Sequence, residues 1–195
     1  MGGEDRGAAM AASVVRAARA LGVGLDGLAR LSRAHALAME PRVAALDDDH
    51  HPLFLHPGRS LLVLLRDVGC GDVTLLAAAA LAESEDAPFR VPHDGIRAAV
   101  GGDAAELVAA LPISGDEDLA ERLVTAPEPV RLVALAERLD HLRHAHLRAA
   151  DARWRRTVHD EAEAVYRPVA HRTHPRLAQR YDHWCRTFAR RLEER

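Results

Sequence analysis

Apolar positions recur at three- and four-residue intervals through nearly the whole chain, the repeat that gathers them on one side of a helix. Residues 8–21 and 26–39 read as two helices joined by the turn Gly22-Val23-Gly24-Leu25-Asp26, with Asp26 as the N-cap. The stretch 46–52 interrupts, because its three consecutive aspartates repel and Pro52 lacks an amide donor. Helix resumes from Pro57 to Val68 and stops at Gly69-Cys70-Gly71. Asp72 then caps a segment from Val73 to Ala82 that is apolar on all sides, so it should lie at the centre of the fold. After Pro88 and Pro92 come short helices over 93–100 and 104–111, the second capped by Asp103, and another ending near Thr125. From Pro129 the spacing of Val130, Val133, Leu135, Ala136, Leu139, Leu142 and Leu147 predicts one long amphipathic helix, followed by helices over 152–166 and 175–193. No segment alternates as a strand does. The expected class is all-α, a single domain over residues 1–195 with about 8–10 helices.

Composition supports helix-on-helix packing. Hydrophobic residues make up 48% of the 195 positions and aromatic ones only 4%, so alanine and leucine must supply the core. All 26 basic residues are arginine, and there is no lysine or asparagine, a bias that a GC-rich genome produces without any nucleic-acid role. A formal charge of −3 argues against a basic phosphate-backbone binder, so no nucleic-acid partner is expected. Two cysteines, Cys70 and Cys185, are too few for a disulfide framework. No stretch reaches the ~18 uncharged apolar residues of a membrane span, and the expectation is a soluble, cytoplasmic protein without a membrane partner. Self-association is left open.

Candidate chemistry begins with twelve histidines, densest at His50, His51 and His56. His56-Pro57 stands at a helix entrance just ahead of the apolar segment, which itself runs out in Ala82-Glu83-Ser84-Glu85-Asp86. Glu137 lies among core-type positions of the long helix, with His141 at i+4 and His144 at i+7 on the same face, a spacing that can build part of a metal or phosphate site or be a solvated stripe. Arg42, Arg59, Arg138 and Arg143 fall on the same elements, and guanidinium forks suit phosphate oxygens. Tyr181, Trp184 and Phe188 form one helical stripe, read as the anchor of the last helix.

Taken in order, His56-Pro57, the apolar helix, Glu85-Asp86 and the run from Arg131 to Arg143 (Arg-Leu-Val-Ala-Leu-Ala-Glu-Arg-Leu-Asp-His-Leu-Arg) resemble the hydrolase domain of the RelA/SpoT alarmone enzymes, a branch of the HD-domain phosphohydrolases. That branch has an initial His-Pro, a helix ending Leu-Leu-His-Asp-x-x-Glu-Asp, and a long helix reading Lys-Leu-Ala-Asp-Arg-Leu-His-Asn-Met-Arg. Tyr166-Arg167-Pro168-Val169-Ala170-His171-Arg172 is similar to the segment following the hydrolase core in the long enzymes, and Ala34-His35 resembles their early Ala-His. The likeness implies an HD-like core over 34–150, with N-terminal helices over 1–33 and C-terminal helices over 151–195.

The family holds a divalent ion, usually manganese, with the His of His-Pro, the signature His and Asp, and the Asp of the long helix. Carried across by position, the resemblance implies His56, Glu83 and Glu137 as metal ligands, with Ala82 where the signature His would stand. Glu85 and Asp86 match the pair near the attacking water; separately, Arg42, Arg59, His141 and Arg143, on or beside these elements, are the expected substrate contacts. The motif is degenerate, so the cofactor is either Mn²⁺ or Mg²⁺ or none. Two routes would restore a site: His50 or His51 reaching in, or a hard cation completed by water. Three readings follow: a divergent HD-type protein binding a phosphorylated nucleotide or similar metabolite with weak, altered or no hydrolysis; an active metal-dependent phosphohydrolase or pyrophosphohydrolase acting on (p)ppGpp or a relative; and a helical scaffold.

Overall fold

Asp72 shows how local chemistry sets the frame: its carboxylate accepts from the amides of Thr74 and Leu75 and starts helix α4, Val73–Ala80. Leu76 to Ala80 are all buried. Because four of those five are alanines, helices α2 (Leu25–Ala45), α3 (His56–Leu62), α6 (Gly102–Ala109) and α8 (Glu128–His144) can all close on α4. The computed structural model describes residues 3–46, 48–84, 88–112, 118–147 and 152–193, and among them there is helix and turn but no strand. The all-α expectation therefore holds, and α4 is the central element it was read to be.

Around this pillar, α1 (Gly3–Ala20) packs on α2 and α3, with Met10 lying against Gly58 where a Cβ would collide with it. Helix α3 passes into a π-helical turn, Val63–Val68, and ends at Gly69, whose φ of 78° is a backbone state that glycine adopts without penalty. α5 (His93–Val100), α6 and α7 (Leu119–Thr125) follow. Beyond α8, α9 (Ala152–Glu161) runs through a second π-helical turn, Ala162–Tyr166, into α10 (Arg167–Thr173), and α11 (Pro175–Glu193) closes the chain. α11 is docked as its aromatic stripe suggested: Tyr181, Trp184 and Phe188 are buried, and the Tyr181 hydroxyl and Trp184 indole donate to the Leu135 and Leu142 carbonyls at 2.8 and 2.7 Å.

Several boundaries differ from expectation. α2 does not stop at 39 but continues through Pro41 to Ala45. An internal proline costs about 3 kcal/mol; here the next residue, Arg42, is buried and its guanidinium bonds the Ala38 and Leu53 carbonyls, so tertiary ties hold the turn that proline weakens. Asp26 and Asp103 lie inside first turns, with Gly24 and Gly101 at the caps. α4 ends at Ala80 rather than Ala82, leaving Leu81–Ser84 as a turn. α10 was not foreseen; Pro168 near its start is compatible with helix because the first-turn amides need no partner.

Candidate metal centre

The turn after α4 carries Glu83 into the interior, where it is 8% exposed. A carboxylate beyond a helix C-terminus meets the negative end of the helix dipole and needs cations around it. Arg42 from α2 supplies one, pairing with Glu83 Oε2 while its guanidinium lies over the Phe89 ring at 4.4 Å. His141 from α8 supplies the second, with Nε2 2.8 Å from Glu83 Oε1 and 2.7 Å from Glu137 Oε1. His56, at the start of α3, stacks on His141 with centroids 4.2 Å apart and brings its Nε2 to 3.7 Å from Glu83 and 3.9 Å from Glu137.

His56, Glu83, Glu137 and His141 thus converge, each offering one ligand atom and all such atoms within 4.8 Å of one another. Two donors sharing an ion at ~2.1 Å each stand no more than ~4.2 Å apart, so small side-chain shifts would close the four on a cation. His56 and Glu83 are buried, whereas the Glu137 and His141 side chains are 22% and 17% exposed, so the cluster opens along the α8 side.

Behind His56 stands Asp140, 2% exposed, which accepts from His56 Nδ1 at 2.8 Å and from Arg59 Nε at 2.9 and 3.0 Å. His144 Nδ1 lies 3.3 Å from Asp140 Oδ1 and 2.8 Å from the Asp140 carbonyl. Arg59 also donates to the Pro52 carbonyl. Burial alone would raise the Asp140 pKa, but hydrogen bonds from His144, His56 and Arg59 hold it far below the usual carboxylate range. Glu83 is likewise held down: the penalty of burial is outweighed by the neighbouring His56, His141 and Arg42. Burial acts to lower the His141 pKa, yet the Glu137 and Glu83 carboxylates win and push it up to about 10. A protonated His141 bridges the two carboxylates through Nε2.

Of the residues singled out in the sequence, the structure brings together His56, Glu83, Glu137, His141, Arg42 and Arg59. It places Arg143 elsewhere, 2.7 Å from Asp67, which also receives Arg180 at 2.9 Å. Arg138 pairs with Glu161 at 3.0 Å and lies over Tyr166. His50 is exposed beside Asp49, and His51 Nδ1 accepts from the Leu53 amide at 3.2 Å, so neither lends an imidazole to the cluster. That role falls to His141, whose i+4 spacing from Glu137 was the available signal. Glu85 and Asp86 lie outside the described residues. Asp140 was not singled out in the sequence, where the Glu137, His141 and His144 face around it can equally be a solvated stripe. No protein-family model and no curated protein matches this chain.

Proposed function

We propose that the chain is a divergent HD-type protein of the alarmone-hydrolase kind, a metal-dependent phosphohydrolase acting on a phosphorylated nucleotide or related small metabolite in the cytoplasm. The observation that carries this reading is the convergence of two imidazoles and two carboxylates from three separate elements. His141 makes good in space the imidazole missing at Ala82, so the donor set is again two nitrogens and two oxygens. Two nitrogen donors favour a transition ion such as Mn²⁺ over Mg²⁺, which prefers all-oxygen shells. A divalent ion held there would neutralise phosphate charge and lower the pKa of a water molecule.

The residues themselves do the rest. Glu83, Glu137 and Asp140 carry three negative charges against Arg42, Arg59 and protonated His141, a balanced pocket. Exchange of the His141 proton for a divalent ion leaves it one charge positive, which suits an anionic phosphate at the open Glu137–His141 side. Arg42 and Arg59 are committed to Glu83, Asp140 and backbone carbonyls, so they set the charge of the floor instead of gripping substrate.

A second reading, nucleotide binding without turnover, draws on that same charge balance, since Arg42 and His141 neutralise the carboxylates without an ion. The deciding experiment purifies the protein metal-free, adds Mn²⁺, and measures bound metal together with phosphate or pyrophosphate release from a panel including ppGpp, for wild type and His56→Ala. Stoichiometric Mn²⁺ and turnover, both lost in His56→Ala, are expected. Metal-independent thermal stabilisation by nucleotide with no turnover would favour the second reading, and absence of all three would leave a helical scaffold.

A further inference from the structure

We propose that Asp140 is a positioning residue that fixes the His56 ring with its proton on Nδ1, so that the Nε2 lone pair faces Glu83, Glu137 and His141. This rests on the metal-centre reading above and adds to it a residue that is not itself a ligand. An ionised carboxylate can only accept, so the His56 nitrogen 2.8 Å from Asp140 Oδ2 must carry hydrogen. The opposite nitrogen, Nε2, is the one pointing at the cluster, with Ser60 Oγ at 3.2 Å as its other neighbour. A ligating imidazole needs its lone pair there, and the hydrogen bond at the far nitrogen decides it.

The rest of the surroundings make Asp140 rigid. Arg59 Nε donates to both oxygens, at 2.9 Å to Oδ1 and 3.0 Å to Oδ2, while His144 faces Oδ1 at 3.3 Å and His56 meets Oδ2 at 2.8 Å. Arg59 is itself anchored on the Pro52 carbonyl. Asp140 also sits on the same helix as Glu137 and His141, on the turn that links them, so one stretch of α8 supplies two ligands and the group that aims a third.

The geometry makes Asp140→Asn informative beyond loss of charge. Arg59 Nε lies 2.9 Å from Oδ1 and 3.0 Å from Oδ2, and His144 Nδ1, whose hydrogen is fixed by the Asp140 carbonyl at 2.8 Å, lies 3.3 Å from Oδ1, so the amide oxygen is best placed at Oδ1 and the amide NH₂ toward His56, the neighbour that can turn acceptor. A donor facing Nδ1 forces that nitrogen to accept, which moves the ring proton of neutral His56 to Nε2 and blocks the cluster side.

The test uses ¹⁵N-histidine-labelled full-length protein, titrated to the pH where His56 carries one ring proton, with Mn²⁺ affinity measured separately by calorimetry. Wild type should show neutral His56 as the Nδ1–H form. Asp140→Asn should show the Nε2–H form and bind Mn²⁺ roughly 10–100-fold more weakly, the usual cost of losing a partner of a ligating histidine. Asp140→Glu, which keeps the carboxylate, should retain Nδ1–H and recover affinity relative to Asp140→Asn. A wild-type His56 protonated on Nε2, or an Asp140→Asn protein binding Mn²⁺ as tightly as wild type, overturns the proposal. The wild-type spectrum decides even if Asp140→Asn fails to fold. If wild type binds no Mn²⁺, the metal-centre reading fails while the tautomer measurement still tests what Asp140 does to His56.

Discussion

On the metal-centre reading, an ion and a proton would compete for His141, and the surroundings of the imidazole give that competition its size. The imidazole is pinned between Glu83 and Glu137 at 2.8 and 2.7 Å, with its pKa pushed up to about 10 from an ordinary 6.5. To serve as a ligand it must give up that proton. At pH 7 this lies about three units below the pKa, and at 1.36 kcal/mol per unit the displacement costs roughly 4 kcal/mol. The apparent Mn²⁺ affinity should therefore rise about tenfold per pH unit, or roughly a hundredfold between pH 6.5 and 8.5, with at least one proton released per ion. Stability of the metal-free protein runs the other way: a pKa raised on folding stabilises fully below about 6.5 and is lost as pH climbs through 10. Calorimetry in two buffers of different ionisation enthalpy counts the protons, and His141→Gln supplies the control in which both the proton release and the slope disappear. An affinity flat across that range, with no proton released, would refute His141 as a ligand and with it the four-donor centre.

Arg42→Met removes a buried cation from Glu83 and should cost ~3–5 kcal/mol in chemical denaturation without metal; saturating Mn²⁺ should raise the melting temperature more in the variant than in wild type, and an equal shift would show that the ion does not see Glu83. Arg143→Ala should leave Mn²⁺ affinity unchanged within about twofold, because that guanidinium pairs with Asp67; a large loss would place it at the centre after all. His35 is buried with Nε2 unpartnered, and burial together with Arg42 lowers its pKa to about 4. A pKa lowered on folding gives stability that is full above about 6.5 and lost as pH falls through 4, amounting to roughly 3 kcal/mol, so His35→Leu should flatten the pH dependence of denaturation in that window. Tyr181→Phe leaves the ring buried but removes its bond to the Leu135 carbonyl, and should cost about 1 kcal/mol with metal binding intact.

How far the centre was legible in the sequence follows from what periodicity can encode. A repeat of 3.6 identifies which positions face inward, and it correctly made the Val73 segment central and α11 a docked helix. It does not say which polar residue on an inward face will be buried, because that depends on partners far away in sequence. Asp140 is the clearest case: it lies 84 residues from His56 and 81 from Arg59, and only their arrival makes its burial affordable. Arg42 is the same problem seen from α2: expected as a substrate contact, it is buried against Glu83, 41 residues away, and the Ala38 and Leu53 carbonyls. Positional matching had a different blind spot. Aligned residue by residue, Ala82 offers no ligand atom, and His50 and His51 are the imidazoles nearest His56 in sequence. In three dimensions the second imidazole of the cluster comes from α8, one helical turn beyond Glu137, since a side chain at i+4 reaches the same spot as its neighbour at i. A donor set is a property of the volume in which side chains meet, and a family signature records only one way of filling it.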